Sequence, residues 1–417
     1  MSTAGADRPV PRARLAHSRP ARWVAIAAAL WPLAAGAAPW TFGEPVTVSP
    51  PRDGVFHHLE SAGRRSLAVS GGVAAVVWED NGTGAPQAYV ALKGSEAAAF
   101  GAGQRLSTGA EAYEPAVAPL ADGAFLAAWE QDGAVWARRV GRGGEMGEAR
   151  RVGGQPSRQI TVAGAGGDTA LLAWAEGDER TGRVQVARWA DGGVGAAAVA
   201  DATGPGGQLY PALVGIGDGA VVAWEDRRRG HTVIMYARSA DLVRFSPAAI
   251  LNDLPPSMSA EFGSGTGAAR VVMCADDAGV LTAVWADKRD FLSGYDVYAA
   301  LGPAPGADFA AGDERVQDDF GAGISQWHPA VACGPDGMRV AAWDDDRDET
   351  PDIWISWRGA SGWSEDLAVP GAAGPGAQGY PAVTVDRAGR LHVAWVEQGP
   401  DDDRTRIRYA VARPVAK

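Results

Sequence analysis

One phrase recurs along this chain and ends each time in a tryptophan. The clearest copies run from Glu114-Pro-Ala-Val-Ala to Trp129, from Tyr210-Pro-Ala-Leu-Val to Trp224, from His328-Pro-Ala-Val-Ala to Trp343 and from Tyr380-Pro-Ala-Val-Thr to Trp395. Weaker copies end at Trp78, Trp174 and Trp285, so the seven tryptophans follow one another at gaps of 45 to 61 residues. A fixed period of this length is the mark of a repeat architecture, in which each unit buries its apolar surface only against its neighbours.

Each copy reads as four short strands. An apolar first strand follows the Tyr/His-Pro-Ala entry. A tight turn comes next, at Asp218-Gly219, Asp336-Gly337 and between Asp386 and Gly389, where Asp and Gly accept positive φ. The second strand carries the Trp. A polar loop leads to a third strand such as Ile234-Met-Tyr-Ala-Arg238, and a more polar fourth closes the unit. The seventh copy lacks a fourth strand, and Trp40-Thr-Phe-Gly-Glu-Pro-Val-Thr-Val48 has that pattern ahead of the first copy. The expected fold is therefore all-β: a seven-bladed β-propeller of four-stranded antiparallel blades, its ring closed by the N-terminal strand completing the last blade. The Trp side chains are expected in the core, between neighbouring sheets.

The remaining composition agrees. Fifty-six Gly and 27 Pro among 417 residues favour turns and short strands. Residues 1–37 read as a signal peptide, with Arg8, Arg12, Arg14, Arg19 and Arg22 ahead of an apolar stretch and Ala35-Gly36-Ala37 as the cleavage site. Residues 38–417 then form one domain, exported to the periplasm or secreted. No other stretch is apolar enough to span a membrane. A net charge of -12 disfavours nucleic acid and anionic membranes as partners.

The Trp-Glu/Asp-Asp-x-Arg loop and the Asp-Ile/Val-Tyr/Trp strand complete a pattern, best seen from Trp343 to Trp354 and from Trp285 to Tyr298. It resembles the sialidase-like propellers with bacterial neuraminidase repeats, over nearly the whole mature chain. The resemblance implies a ligand on the face where the second-to-third-strand loops meet the interblade loops. The Phe/Tyr-Arg-Ile-Pro motif of catalytic sialidases does not occur, and no catalytic set can be mapped. The expectation is a non-catalytic propeller binding a glycan or a protein. A diverged sialidase-like glycoside hydrolase and a structural module of an envelope assembly are the alternatives.

On that face the candidate ligand-binding residues are Tyr210, Glu261, Asp287, Arg289, Asp290, Trp327, His328, Asp345, Arg347 and Tyr380. Aromatic rings stack on sugars and paired charges hydrogen-bond hydroxyls. The competing reading is architectural: acids that recur after each Trp pair with Arg and join blades. The long interblade segment 251–268 points to the sector of blades five and six. No cofactor is expected and no metal site stands out. Asp344-Asp345-Asp346 and Asp401-Asp402-Asp403 carry oxygen donors suited to Ca²⁺, without a known spacing. Cys274 and Cys333 fall at matching places in adjacent repeats, as a disulfide or as two buried thiols.

Overall fold

The structure is a computed structural model that describes residues 38–60, 63–203, 206–228, 230–253, 267–289, 294–302, 307–318 and 323–415. The signal-peptide reading of residues 1–37 therefore lies outside the described residues, as do Glu261 and Asp290.

Residues 38–417 form seven antiparallel sheets, each four strands deep, with consecutive strands side by side. The second strands are Val73–Asp80, Phe125–Gln131, Ala170–Glu176, Gly219–Asp226, Leu281–Asp287, Arg339–Asp345 and Leu391–Gln398. They read as nearly continuous apolar runs because a neighbouring blade covers each face; Gly219–Asp226 is buried along its whole length. The seven Trp are at most 2% exposed. Each packs against the second strand of the preceding blade: Trp174 clusters with Leu126, Trp224 with Leu171 and Trp285 with Val221. Trp78 of the first blade clusters with Ala394 of the last, so the same contact closes the ring.

Covalent order is broken only at that closure. Trp40–Phe42 and Val46–Ser49 both pair antiparallel with Thr405–Pro414, as the sequence led us to expect. Trp40 is buried, donates its indole N–H to the Gly389 carbonyl at 3.0 Å and meets Trp357 edge-on. The latch supplies an outer strand to a sheet that would otherwise present an open edge.

The tight turns lie on the opposite face from the candidate site, as read from the sequence. Asp336 and Gly337 both adopt the left-handed conformation, at φ 57° and 72°. In the fourth blade the turn falls one residue earlier than expected: Ile216 pairs with Gly219, and Gly217 takes the positive φ.

The first blade departs from the others. Its inner strand is split into His57–His58 and Leu67–Ser70, both paired with Val73–Asp80. The chain between the two pieces runs to the propeller axis. There Arg65 donates to the Met273 carbonyl of the fifth blade at 2.7 Å, and the Gly63 carbonyl accepts from Thr161 of the third at 2.6 Å. This segment acts as a plug. Beside it a cavity of only about 30 Å³ remains, whereas the turn-face end of the channel, lined from all seven blades, holds about 290 Å³.

Candidate functional site

A single backbone irregularity builds the centre of the loop face. In blades two to seven the register of the inner strand slips just after its start. At each slip one residue takes positive φ: Glu114, Gln159, Tyr210, Arg270, His328 and Tyr380, between 49° and 59°. Side chains rarely occupy this region, and none of the six is β-branched, the type for which it is most costly. In the first blade the Ser66 carbonyl accepts from the Val77 amide, which places Arg64 at the matching register. Gly63 just before it has φ 76°. Seven side chains, one per blade, thus ring the axis.

Four of the strained bulges are tied down by the acid that follows the Trp of the preceding blade. Glu79 accepts the Glu114 amide at 3.0 Å, Glu130 the Gln159 amide at 2.5 Å, Glu225 the Arg270 amide at 2.8 Å and Asp344 the Tyr380 amide at 2.6 Å. The third blade has Ala175 after its Trp, and there the Gln159 side chain accepts the Tyr210 amide instead. For the acid directly after the Trp, the partner in these four blades is thus a backbone amide of the next blade.

Charges converge on the plug. Arg64, buried, contacts Glu114 and lies 3.0 Å from Glu130. Arg270 lies 3.1 Å from Glu60 and near the Trp327 ring. Burial pushes Glu130 up to about 7 against the pull of Arg64, with Glu114 adding to the rise. Burial likewise pushes Glu79 up to about 7 and raises Glu225. It holds His58 below its ordinary value. Glu79, Glu130 and Glu225 are thus each held toward the protonated form by burial.

Next to this cluster lies a row of rings. Tyr295 and Trp327 have centroids 4.1 Å apart, Trp327 and His328 6.2 Å, His328 and Tyr380 4.0 Å, and Tyr380 and His58 5.0 Å. The row crosses blades five, six, seven and one, and all five residues are partly exposed. His328 Nδ1 is held by Asp344 at 2.7 Å, which fixes that ring.

Four of the candidates take their place here: Tyr210, Trp327, His328 and Tyr380. Four others do not, and the reading of Asp287, Arg289, Asp345 and Arg347 as ligand contacts is corrected. Asp287 and Asp345 are buried, each accepting the indole N–H of its own Trp, from Trp285 and Trp343, at 3.0 Å. Arg289 bridges Asp287 and Asp313, both at 2.6 Å, and lies over the Tyr298 ring. Arg347 bridges Asp345 and Asp366 and lies over Trp354. These pairs knit the second strand to the outer strands of their own blade. Of the acidic run, Asp344 and Asp345 are spent on the latch and on the Trp–Arg pair, and Asp346 is exposed. Among the described residues no group of three or more metal-ligating side chains comes together.

Sequence reasoning missed Arg64, Glu114, Gln159 and Arg270 as members of the ring. The signal was present, since Glu114, Gln159 and Arg270 hold the register of His328 and Tyr380 relative to their Trp. Arg64 lies as far before Trp78 as Tyr210 does before Trp224, so its register too could be read from the sequence.

No family model matches the chain, and no curated protein matches it. Solved structures do. A polysaccharide lyase of family PL25, an ulvan lyase solved with -[GlcA(1-4)Rha3S]-, aligns with a TM-score of 0.57 at 9% identity, over 87% of this chain and 95% of that one. The GH93 α-L-arabinofuranosidase of Fusarium graminearum aligns at 0.46 and 14% identity, over 71% and 91%. An α-L-arabinanase of Penicillium chrysogenum gives 0.44 and 14%, over 71% and 92%. At these identities the likeness is one of fold. The chain is a seven-bladed β-propeller.

Proposed function

We propose that the protein is an exported carbohydrate-binding propeller whose ligand lies across the ring row at the centre of the loop face. The observation that carries this reading is the unbroken sequence Tyr295, Trp327, His328, Tyr380 and His58, partly open to solvent and backed by Arg64, Arg270, Glu60 and Glu114. Pyranose faces stack on such rings, and the flanking guanidinium and carboxylate groups match sugar hydroxyls. The mixed charge favours a neutral or weakly charged glycan over a strongly anionic one. The ulvan lyase of similar fold was solved with a glycan, which supports a saccharide ligand. The leader at residues 1–37 supports export.

The latch roles of Glu79, Glu225 and Asp344 support binding without catalysis, since their oxygens already accept strained amides. One observation favours a second reading, glycoside hydrolysis: Glu130, whose Oε1 accepts the Gln159 amide, is raised to about 7 by burial beside Glu114 and Arg64. A carboxyl protonated near neutrality can act as a general acid.

The test is a glycan array followed by calorimetry on the best ligand. Trp327→Ala and Tyr380→Ala are expected to weaken binding by roughly tenfold or more each, at about 1–3 kcal/mol per lost stacking contact. A blank array, or full affinity in both variants, would overturn the reading. Turnover of fluorogenic glycosides that disappears in Glu130→Gln would move the conclusion to the hydrolase.

A further inference from the structure

The seam where the last blade meets the first holds a cleft of about 420 Å³, on the turn face and away from the ring row. It exists because the first blade offers little side chain there: Gly72, Ala74, Gly94 and Ser95 form that wall, and a Cβ placed on Gly94 would meet nothing within 4 Å. The opposite wall is Tyr409, Val411 and Arg413 of the C-terminal strand, with Phe42 and Val46 of the latch closing the outside.

The polar groups of this cleft are unequally served. Three cations line it, Lys93, Arg390 and Arg413, against one carboxylate, Glu44. Arg390 is paired with Asp386 at 2.6 Å. Lys93 and Arg413, one from each wall, have no ion-pair partner among the described residues. Burial lowers the Lys93 pKa and the nearby Arg390 lowers it further, against the pull of Glu96. Deeper in, Asp386, His392 and Tyr409 form a chain: His392 Nε2 lies 3.2 Å from Asp386 and its Nδ1 2.5 Å from the Tyr409 hydroxyl. That chain holds the phenol fixed against the cleft.

We propose that this seam cleft is a second binding site, taking a small organic oxyanion, a carboxylate or a phosphate ester, gripped between Lys93 and Arg413 with its body against Phe42 and Val411. The volume suits a ligand of monosaccharide size. Lys93 and Arg413 share a space whose lining holds a single carboxylate, Glu44, and an anion between them would accept a charge-assisted hydrogen bond from each. Because the cleft is made by the latch strand and the C-terminal strand together, the bound anion also bridges the two ends of the chain.

Calorimetry with glucuronate, glucose 6-phosphate and glucose as probes tests the site on the intact protein, the first two separating a carboxylate from a phosphate source. One or both anions should bind, and in the Trp327→Ala protein, where the ring row is disabled, glucose should not. Lys93→Ala and Arg413→Ala should each weaken the anion by roughly tenfold or more, the usual effect of one charged hydrogen bond. Gly94→Leu, which fills the cleft without touching a charge, should abolish binding while the melting temperature stays within a few degrees of the parent. Trp327→Ala and Tyr380→Ala should leave it intact, which keeps this site separate from the glycan reading. Failure of both anions to bind, glucose binding as tightly as glucuronate in the Trp327→Ala protein, or unchanged affinity in Lys93→Ala, Arg413→Ala and Gly94→Leu would overturn the proposal.

Discussion

Asp344 accepts the backbone amide of Tyr380 at 2.6 Å and, with the same oxygen, lies 2.7 Å from His328 Nδ1. One carboxylate of the sixth blade therefore holds the inner strand of the seventh in its left-handed bulge and also orients a ring of the candidate site. The neighbouring Asp346, two positions along the same acidic run, is exposed. Asp344→Ala leaves a strained amide without its acceptor and should lower stability by about 2–3 kcal/mol. Asp346→Ala should change it by about 0.5 kcal/mol or less. Chemical denaturation of the two variants checks this. Equal losses would mean that the acidic run acts through net charge and not through the latch.

The carboxyls drawn to the axis make stability depend on pH in a direction opposite to that of an ordinary ion-paired acid. Glu79 is raised by burial to about 7 from 4.5, so between those values the folded chain holds a proton that the unfolded chain has released. Stability from this group is present at pH 5 and declines as pH rises through about 7. Glu79→Gln keeps an oxygen for the Glu114 amide and removes the ionisation. The variant should match the parent near pH 5 and melt above it at pH 8. Comparison with the parent cancels His57 and His58, whose lowered pKa values act the other way in this window. A melting difference that is the same at both pH values would count against a buried neutral Glu79.

Much of this was legible in the sequence. The Trp period, the Asp-Gly turns and the orphan strand at residues 40–48 gave the ring, its blade number and its closure, because each depends on local pattern alone. The site was legible only in part. His328 and Tyr380 stand out as aromatic residues in a shared register, yet Glu114, Gln159 and Arg270 in that same register do not look alike. What unites them is a backbone bulge, not a side-chain type. Arg289 and Arg347 misled for the converse reason. An Asp-x-Arg loop after a Trp looks the same whether the guanidinium turns toward the axis or back onto Tyr298 and Trp354, and only packing decides.

Cys274 and Cys333 form a disulfide with Cα atoms 5.6 Å apart, joining the inner strands of blades five and six. Matching positions in adjacent blades diverge at the rim, and at the axis they come within bridging distance. An unfolded, unreduced sample should show no free thiol. The Cys274→Ser, Cys333→Ser double variant should lose about 2–4 kcal/mol, as expected for a cross-link closing a loop of 59 residues. Two titratable thiols in the unreduced protein would refute the bridge.

The plug is best tested at Gly63. Its φ is 76°, and a Cβ there would come within 2.3 Å of the Pro211 carbonyl of the fourth blade. Backbone on both sides leaves no flexible side chain to yield, so Gly63→Ala must shift the segment that carries Arg64. Arg64 would then withdraw from Glu130 and Glu114, leaving two carboxyls at the axis without their cation. The variant should lose about 3 kcal/mol or more, the scale of a broken buried ion pair added to backbone strain. The second effect is local: glycan affinity should fall even where the protein remains folded, because Glu60 and Arg270 at the edge of the ring row are set by the same segment. Gly84→Ala is the control, since its φ is also positive, at 94°, but nothing lies within 4 Å of the added carbon. It should show backbone strain alone, with unchanged ligand affinity. If both substitutions have the same cost and neither alters binding, the segment does not position the site.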